Sequence, residues 1–532
     1  MHLEFTKVQY FKLFSLSLYR KRTLLLHFVM IKVFSTDKIK QIDQYTIRYE
    51  PVSPIELVER AATAFVSEFC RRFQKQSRIV IFAGPGNNGA DALAIARILH
   101  ETGYRTETYL FNPNMRLSSE CGINKERLIR LDKVEFNEIV EDFIPPRLSA
   151  HDIVIDGLFG TGLNHPLSGG FSAVVNYINN SEAHVVSIDI PSGLFGEENK
   201  NVDNNAVIRA KLTLSFGFPK LAFLLKENSK YVGERKVLDI LLHNGVIEET
   251  ECSYILVEEN DIASVFQPRP KFAHKGNFGH ALLIAGSKGM MGAALLAARA
   301  CRRCGVGLLT AHIPQRGELV MQTGCPEAMV SLDSNNDYFT EVPQLANYTA
   351  IGVGPGLGKH FDSVVALETL ISSARCPLVI DADAINLIAE NQELIAKLPS
   401  KTILTPHPKE FDRLAGESHN SYDRLKKAQD FAKRNDVCVV LKGAYTATCT
   451  PTGNVYFNNS GNPGMAKGGS GDVLTGVILS LLAQGYEPET ACVAGTFIHG
   501  MAGDVAAKIN SEESMTASDI VDCIGKAFKQ LK

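Results

Sequence analysis

Between Phe34 and Asn244 short apolar runs alternate with glycine-containing loops and helical stretches. RIVIFAG (Arg78–Gly84) reads as a strand ending in glycine, and ADALAIARILHETG after it as a helix stopped by Gly103. DIVIDGLFGTG and HVVSIDIPSG are two more apolar strands, each opening into a loop. This alternation predicts a parallel sheet covered on both faces. Ligands of such sheets bind beyond the C-terminal ends of the strands, where these loops lie.

A second alternating series begins near Cys252, with strands in HALLIAG, TAIGVGPG, LVIDAD, TILTPHP and VCVVLKGAYTAT. Between the series, HNGVIEETECSYILVEENDIASVFQPRPKFAHKG loses periodicity. The expected division is therefore residues 30–247 and 248–532, and the two series do not align, so they read as a fusion rather than a repeat. Residues 1–29 are basic and apolar, but Arg20-Lys21-Arg22 interrupts them. They fall short of the roughly 18–20 apolar residues of a membrane span and lack a signal-peptide core. A transit peptide or a true start at Met30 are the readings, and the segment is set aside as an extension.

A length of 532 residues also favours two domains. The apolar and charged fractions, 45% and 21%, are those of a soluble globular chain. A net charge of -3 argues against nucleic acid or an anionic membrane as partner. Eleven scattered cysteines point to reduced thiols and a cytoplasmic location. Cys301 and Cys304 form a lone CxxC within GAALLAARACRRCGVG, which reads as a helical pair rather than a redox or metal site. A homo-oligomer is expected.

GPGNNGAD (Gly84–Asp91) matches GxGxxG between a strand and a helix. The next strand, TETYLFN, lacks the acidic residue that would hold a ribose, and Asn87, Asn88 and Asp91 crowd the turn instead. Asp156 ends a strand before Gly160–Pro166, and Asp189 ends another before Pro191-Ser192-Gly193. Carboxylates at neighbouring strand ends converge on one crevice, and oxygens from Asn88, Asp156 and Ser192 suit a hard cation. Taken singly, each reads equally as a turn residue or a helix cap.

GPGNNGAD, DGLFGTGL, IDIPSG and AKLTLSFGFPK (Ala210–Lys220) together resemble the epimerase domain of bifunctional NAD(P)H-hydrate repair enzymes, over about residues 34–245. The resemblance implies a Rossmann-like three-layer αβα domain and a potassium ion on Asn88, Asp156 and Ser192. It implies substrate contacts from Asn87, Asn88, Gly89, Ala90 and Asp91, from Gly160, Thr161, Gly162, Leu163, Asn164, His165 and Pro166, and from Asp189. The R and S epimers of the hydrate would interconvert at C6, with Asp189 as acid/base. Lys220 is a weaker candidate, since a lysine after Phe-Pro reads as solvated. The family's loop runs NNGGDG, whereas Ala90 and Ala92 stand here. A methyl group there would crowd a ligand or forbid positive φ.

In GNPGMAKGGSGDVLTG (Gly461–Gly476), Gly468, Gly469 and Gly471 let backbone N–H groups face an anion, with a helix expected from Val473. Asp472 is either a helix cap or a general base. No GxxxxGK[ST] occurs, so this is not a P-loop. HKGNFGHALLIAGSKGMMGAALLAARA, IGVGPGLG, VIDADAIN, LTPHPKEF and NPGMAKGGSGDVLTG, in order, resemble the ADP- or ATP-dependent NAD(P)H-hydrate dehydratase, a ribokinase-like αβα fold, over about residues 255–530. The resemblance implies hydrate contacts from Ala293, Gly356, His407 and Asp472. It places an adenine nucleotide on Lys442, Gly443, Ala444, Tyr445, Thr446 and Gly471, with Mg²⁺ on the phosphates. Lys409 departs from the usual PHPGE. The expected function is epimerisation of NADH and NADPH hydrates, then nucleotide-dependent dehydration of the S form. The alternative is a small-molecule kinase fused to a non-catalytic binding module. The sequence does not choose between ADP and ATP.

Overall fold

The computed structural model describes residues 31–200, 206–266 and 268–532. The chain divides into two compact units, Lys32–Cys252 and, with Ile31, Ser253–Lys532.

The first unit is built on seven strands: β1 (Arg78–Ala83), β2 (Arg105–Phe111), β3 (Glu135–Ile139), β4 (Ile153–Gly157), β5 (His184–Ile188), β6 (Leu212–Phe216) and β7 (Glu234–Leu238). Their order is β3-β2-β1-β4-β5-β6-β7, and every pair is parallel. The order reverses between β1 and β4, which opens a crevice at their C-terminal ends. Alternation along β1 sends Ile79, Ile81 and Ala83 into one core and Val80 and Phe82 into another. Helices Thr36–Tyr49, Pro54–Arg72 and Asn87–Glu101 cover the first core, and Gly169–Asn179 the second.

Helix Asn87–Glu101 starts three residues earlier than the sequence suggests, with Gly86 as its cap. Asn87, Asn88, Gly89, Ala90 and Asp91 therefore make its first turn and a half. Ala90 and Ala92 are buried and have no positive φ. The positive φ that their methyl groups would forbid is not required, because both residues are helical and helical backbone accepts alanine readily.

The second unit carries an eleven-stranded sheet, of which ten strands lie after residue 253: β8 (Tyr254–Val257), β9 (His280–Ile284), β10 (Leu308–Ile313), β11 (Met329–Leu332), β12 (Ala350–Val353), β13 (Leu378–Ile380), β14 (Ile403–Leu404), β15 (Cys438–Leu441), β16 (Ala447–Cys449) and β17 (Val455–Asn458). From the edge formed at Ile31 they run β8-β17-β16-β15-β14-β13-β12-β9-β10-β11. From β15 to β11 neighbours are parallel, while β16 is antiparallel to both of its neighbours. The order reverses between β9 and β12.

Against one face lie helices Met291–Arg303, Ser470–Ala483, Pro488–Ser514 and Ala517–Gln530. The first two cross closely, because a Cβ on Gly476 would fall 2.1 Å from the Ala297 carbonyl oxygen. Cys301 and Cys304 are buried in this core, and burial pushes both thiols up, as suits inert core residues. No two cysteines are joined among the described residues. No described helix is long and apolar enough to cross a membrane.

Candidate active sites

In the first unit, Asp156 leaves the end of β4 fully buried. Its Oδ2 accepts from Ser187 Oγ at 2.8 Å and from the Ser192 N–H at 2.9 Å. Its Oδ1 accepts from Ser192 Oγ at 2.5 Å. Burial raises the Asp156 carboxyl above its ordinary range, against these hydrogen bonds. Ser192 Oγ also accepts from the Phe159 N–H at 2.9 Å. Asn88 closes the other side: a Cβ on Gly160 would lie 3.2 Å from Asn88 Oδ1. Asn88, Asp156 and Ser192 thus line the crevice between β1 and β4 with the first turn of helix Asn87–Glu101. From Gly160 the chain continues as a surface loop through Thr161, Gly162, Leu163, Asn164, His165 and Pro166, in which Leu163 packs on the core and Gly162, Asn164, His165 and Pro166 are exposed.

Asp189 follows β5 at φ 64°, a left-handed conformation rare for a side chain of its kind. Its Oδ1 accepts from the Phe216 N–H at 2.9 Å and binds Lys220 Nζ. Lys220 is 1% exposed. Its ammonium also donates to Ser215 Oγ at 2.8 Å and to the Phe218 and Phe216 carbonyls at 3.1 and 3.2 Å. The sequence reads this lysine as solvated; the structure buries it and fills its donors. Asp91, three residues after Asn88, and Asp43, on helix Thr36–Tyr49, face the same pair. Burial pushes Asp91 well above the usual carboxylate range, and the nearby Asp189 and Asp43 add to this. Asp43 was not singled out from the sequence, because an aspartate in an amphipathic helix carries no local mark.

In the second unit the glycines of the opening loop lead into helix Ser470–Ala483, three residues earlier than expected, capped by Gly469 at φ 91°. Asp472 is therefore not the cap. Its carboxylate accepts no hydrogen bond among the described residues, and it is pushed up to about 7, by burial first and then by Asp381. Around it stand groups from the C-terminal ends of the strands. Asp381, after β13 and buried, accepts from Lys442 Nζ at 3.0 Å and from Thr475 Oγ1 at 2.6 Å. Lys442, after β15, also lies 3.9 Å from Glu410. Its pKa is raised: burial opposes this, and Asp381, Glu410 and Asp472 together outweigh burial. A Cβ on Gly471 would meet Lys442 Nζ at 3.3 Å.

His407 caps helix Pro408–Ala415: its Nδ1 accepts from the Glu410 N–H at 3.1 Å while Glu410 accepts from the His407 N–H at 2.8 Å. The His407 Nε2 lies 3.4 Å from Glu410 Oε1. Lys409 lies at the second helical position, where glycine is not required. Across the crevice, a Cβ on Gly356 would touch that of Ala293 at 3.1 Å, and Leu296, one turn on from Ala293, packs on Gly469. Gly443 and Ala444 are exposed in the turn after β15, where Thr446 Oγ1 donates to the Gly443 carbonyl at 3.0 Å. Tyr445 sits between them and Thr446.

A family profile described as YjeF-related protein N-terminus matches residues 54–222, and one described as NAD(P)H-hydrate dehydratase matches residues 281–526. The bifunctional NAD(P)H-hydrate repair enzyme of Moorella thermoacetica is 32% identical over 92% of this chain and 96% of its own. That of Thermofilum pendens is 33% identical over 94% and 97%. The chain belongs to the bifunctional NAD(P)H-hydrate repair enzymes. A solved ADP/ATP-dependent NAD(P)H-hydrate dehydratase from Bacillus subtilis, co-crystallised with ATP/Mg²⁺, is similar at 30% identity, with a TM-score of 0.45, covering 52% of this chain and 98% of that one.

As a repair enzyme of this family, the chain joins an NAD(P)H-hydrate epimerase to an NAD(P)H-hydrate dehydratase, on two α/β units with mostly parallel sheets. It is an isomerase and a lyase in one polypeptide. The residues of the epimerase crevice fit a monovalent cation. The Asn88 amide is buried, and its Oδ1, beside Gly160, accepts no hydrogen bond among the described residues, so it is an oxygen that could face a cation. The buried Asp156 carboxylate has no Lys, Arg or His within ion-pair distance among the described residues. No group of three His, Cys, Asp or Glu side chains is arranged for a metal among the described residues. In the dehydratase crevice the carboxylates of Asp381 and Asp472 could stand beside a Mg²⁺ carried on nucleotide phosphates.

Proposed function

We propose that the two crevices act in series on hydrated NADH and NADPH. The observation that carries this reading is Asp472: a carboxylate in the first turn of a glycine-led helix, free of hydrogen bonds and poised to take a proton near neutral pH. Ala293, Gly356, His407 and Asp472 contact the S hydrate. Lys442, Gly443, Ala444, Tyr445, Thr446 and Gly471 hold ADP or ATP. Asp472 accepts the proton of the C6 hydroxyl as that oxygen takes the terminal phosphoryl group. The C6–O bond then breaks with its electron pair going to phosphate, C5 loses a proton, and the ring double bond returns. Backbone N–H groups at the start of helix Ser470–Ala483 and the Lys442 ammonium face the phosphates. Mg²⁺, when bound with the nucleotide, supplies neutralisation of phosphate charge.

In the epimerase unit Asn88, Asp156 and Ser192 hold K⁺, which supplies a fixed positive charge beside the substrate. The first turn Asn87–Asp91, the loop Gly160–Pro166 and Asp189 contact the hydrate, and Asp189 moves a proton at the C6 oxygen.

Supplying the S hydrate with ADP and then with ATP, and following the absorbance of the reduced nicotinamide, tests the reading and identifies the donor. Asp472→Asn is expected to lower dehydration at least 10³-fold and leave epimerisation intact. A stable phosphorylated alcohol with no reduced nicotinamide would overturn it.

A further inference from the structure

Helix Thr36–Tyr49 turns Ile39, Ile42 and Thr46 inward, all buried. Asp43 lies on the same stripe, four residues from Ile39 and three from Thr46. A carboxylate there needs partners, yet Asp43 accepts no hydrogen bond and makes no ion pair among the described residues. The helix is held over the end of the sheet. The Thr36 N–H donates to Glu197 Oε1 at 2.7 Å, Phe34 meets Phe218 edge to face at 4.8 Å, and a Cβ on Gly196 would lie between Thr36 and the Lys220 stem. These contacts set Asp43 opposite the Asp189–Lys220 pair.

We propose that Asp43 is a second catalytic residue of epimerisation, the general acid working opposite Asp189. This rests on the epimerase reading of the crevice. The C6 carbon carries both a hydroxyl and the ring nitrogen. Asp43 gives its proton to the hydroxyl, the C6–O bond breaks with its electron pair going to oxygen, and water leaves as the nitrogen lone pair forms C6=N1. Water adds to the opposite face of C6 and gives a proton to Asp189. The water expelled is matched by the water added. The proton given by Asp43 is matched by the one taken by Asp189 and returns to Asp43 through solvent before the next turnover in the same direction, and no electron is transferred. The reverse epimerisation exchanges the roles of the two carboxylates.

The surroundings suit the division. The groups facing Asp43 are Asp189, Lys220 and, from helix Asn87–Glu101, Asp91. On the side of helix Asn244–Glu249, the preceding His243 meets Tyr45 and Thr46 instead. Burial, and then Asp189, pushes Asp43 up to about 6, with Lys220 opposing. Asp189 Oδ1 meanwhile accepts from the Lys220 ammonium and the Phe216 N–H, as a base should. Pairs of carboxylates whose settings diverge in this way divide acid from base.

The test uses the full chain without nucleotide, so that R and S hydrates interconvert without dehydration, and follows both by chromatography. The unaltered chain is expected to lose rate above pH 6, and Asp43→Asn to slow epimerisation at least 10²-fold and to lack that limb. Asp43→Glu should recover part of the rate and of that limb. Dehydration of pure S hydrate with nucleotide should be unchanged in both. Epimerisation within threefold of the unaltered rate in Asp43→Asn overturns the proposal. So does a slowed enzyme whose pH profile is unaltered, which marks a structural role. So does loss of the limb in Asp91→Asn but not in Asp43→Asn. An unaltered chain that fails to epimerise counts against the epimerase reading itself.

Discussion

Asp472 and Lys220 show how far one side chain's setting decides its chemistry. Asp472 must be ionised to act as a base, and burial holds it at about 7. Dehydration is therefore expected to rise with pH through 7 and level off above about 8, with the limb read from initial rates on S hydrate. A carboxyl raised on folding from 3.8 to about 7 contributes stability that is full below 3.8 and is lost as pH rises from there through about 7. Asp472→Asn should accordingly melt higher than the unaltered chain above pH 7, while being inactive in dehydration. Lys220 matters through its ion pair instead. Removing the Asp189 carboxylate leaves the buried Lys220 ammonium without its ion-pair partner, at a cost of about 3 kcal/mol. Asp189→Asn should abolish epimerisation and lower the melting of the first unit by roughly 6–12 °C, with dehydration intact.

At the scale of elements, the proposed K⁺ ligands Asn88, Asp156 and Ser192 stand at or just after the C-terminal ends of β1, β4 and β5, so binding of the ion would be linked to the stability of the sheet. Saturating K⁺ at roughly 100 times its dissociation constant should stabilise the first unit by about 2.7 kcal/mol. The gain should vanish in Asp156→Asn when KCl is compared with NaCl in thermal melts. The strands themselves were legible in the sequence, because runs such as RIVIFAG are buried on both faces and end in glycine loops. The starts of two helices were not. GPGNNGAD and GGSGD look like loops from their glycines, yet the helices begin at Asn87 and Ser470, because burial and tertiary packing outweigh glycine's poor helical propensity. The paired roles of Asp381 and Glu410 around Lys442 were equally hidden. They are 29 residues or more from each other or from the lysine along the chain and meet only at the strand ends. Asp43 and the buried state of Lys220 depend on long-range packing and left no mark in spacing.

For the whole molecule, each unit has its own sheet, core and crevice, and the S hydrate is product of one and substrate of the other. Asp189→Asn mixed with Asp472→Asn should restore conversion of R hydrate to the reduced nucleotide, with the S form passing through solution. An inactive mixture would show that the hydrate is not handed over freely.

The helix that bears Asp43 precedes the segment shared with the family profile, which starts at residue 54. A polypeptide begun at Met30 keeps that helix and its seat on Phe218. One trimmed to the shared segment keeps every proposed K⁺ ligand, Asp189 and Lys220, but not the acid. A chain begun at residue 54 is expected to leave R hydrate unepimerised while its second unit still dehydrates S hydrate.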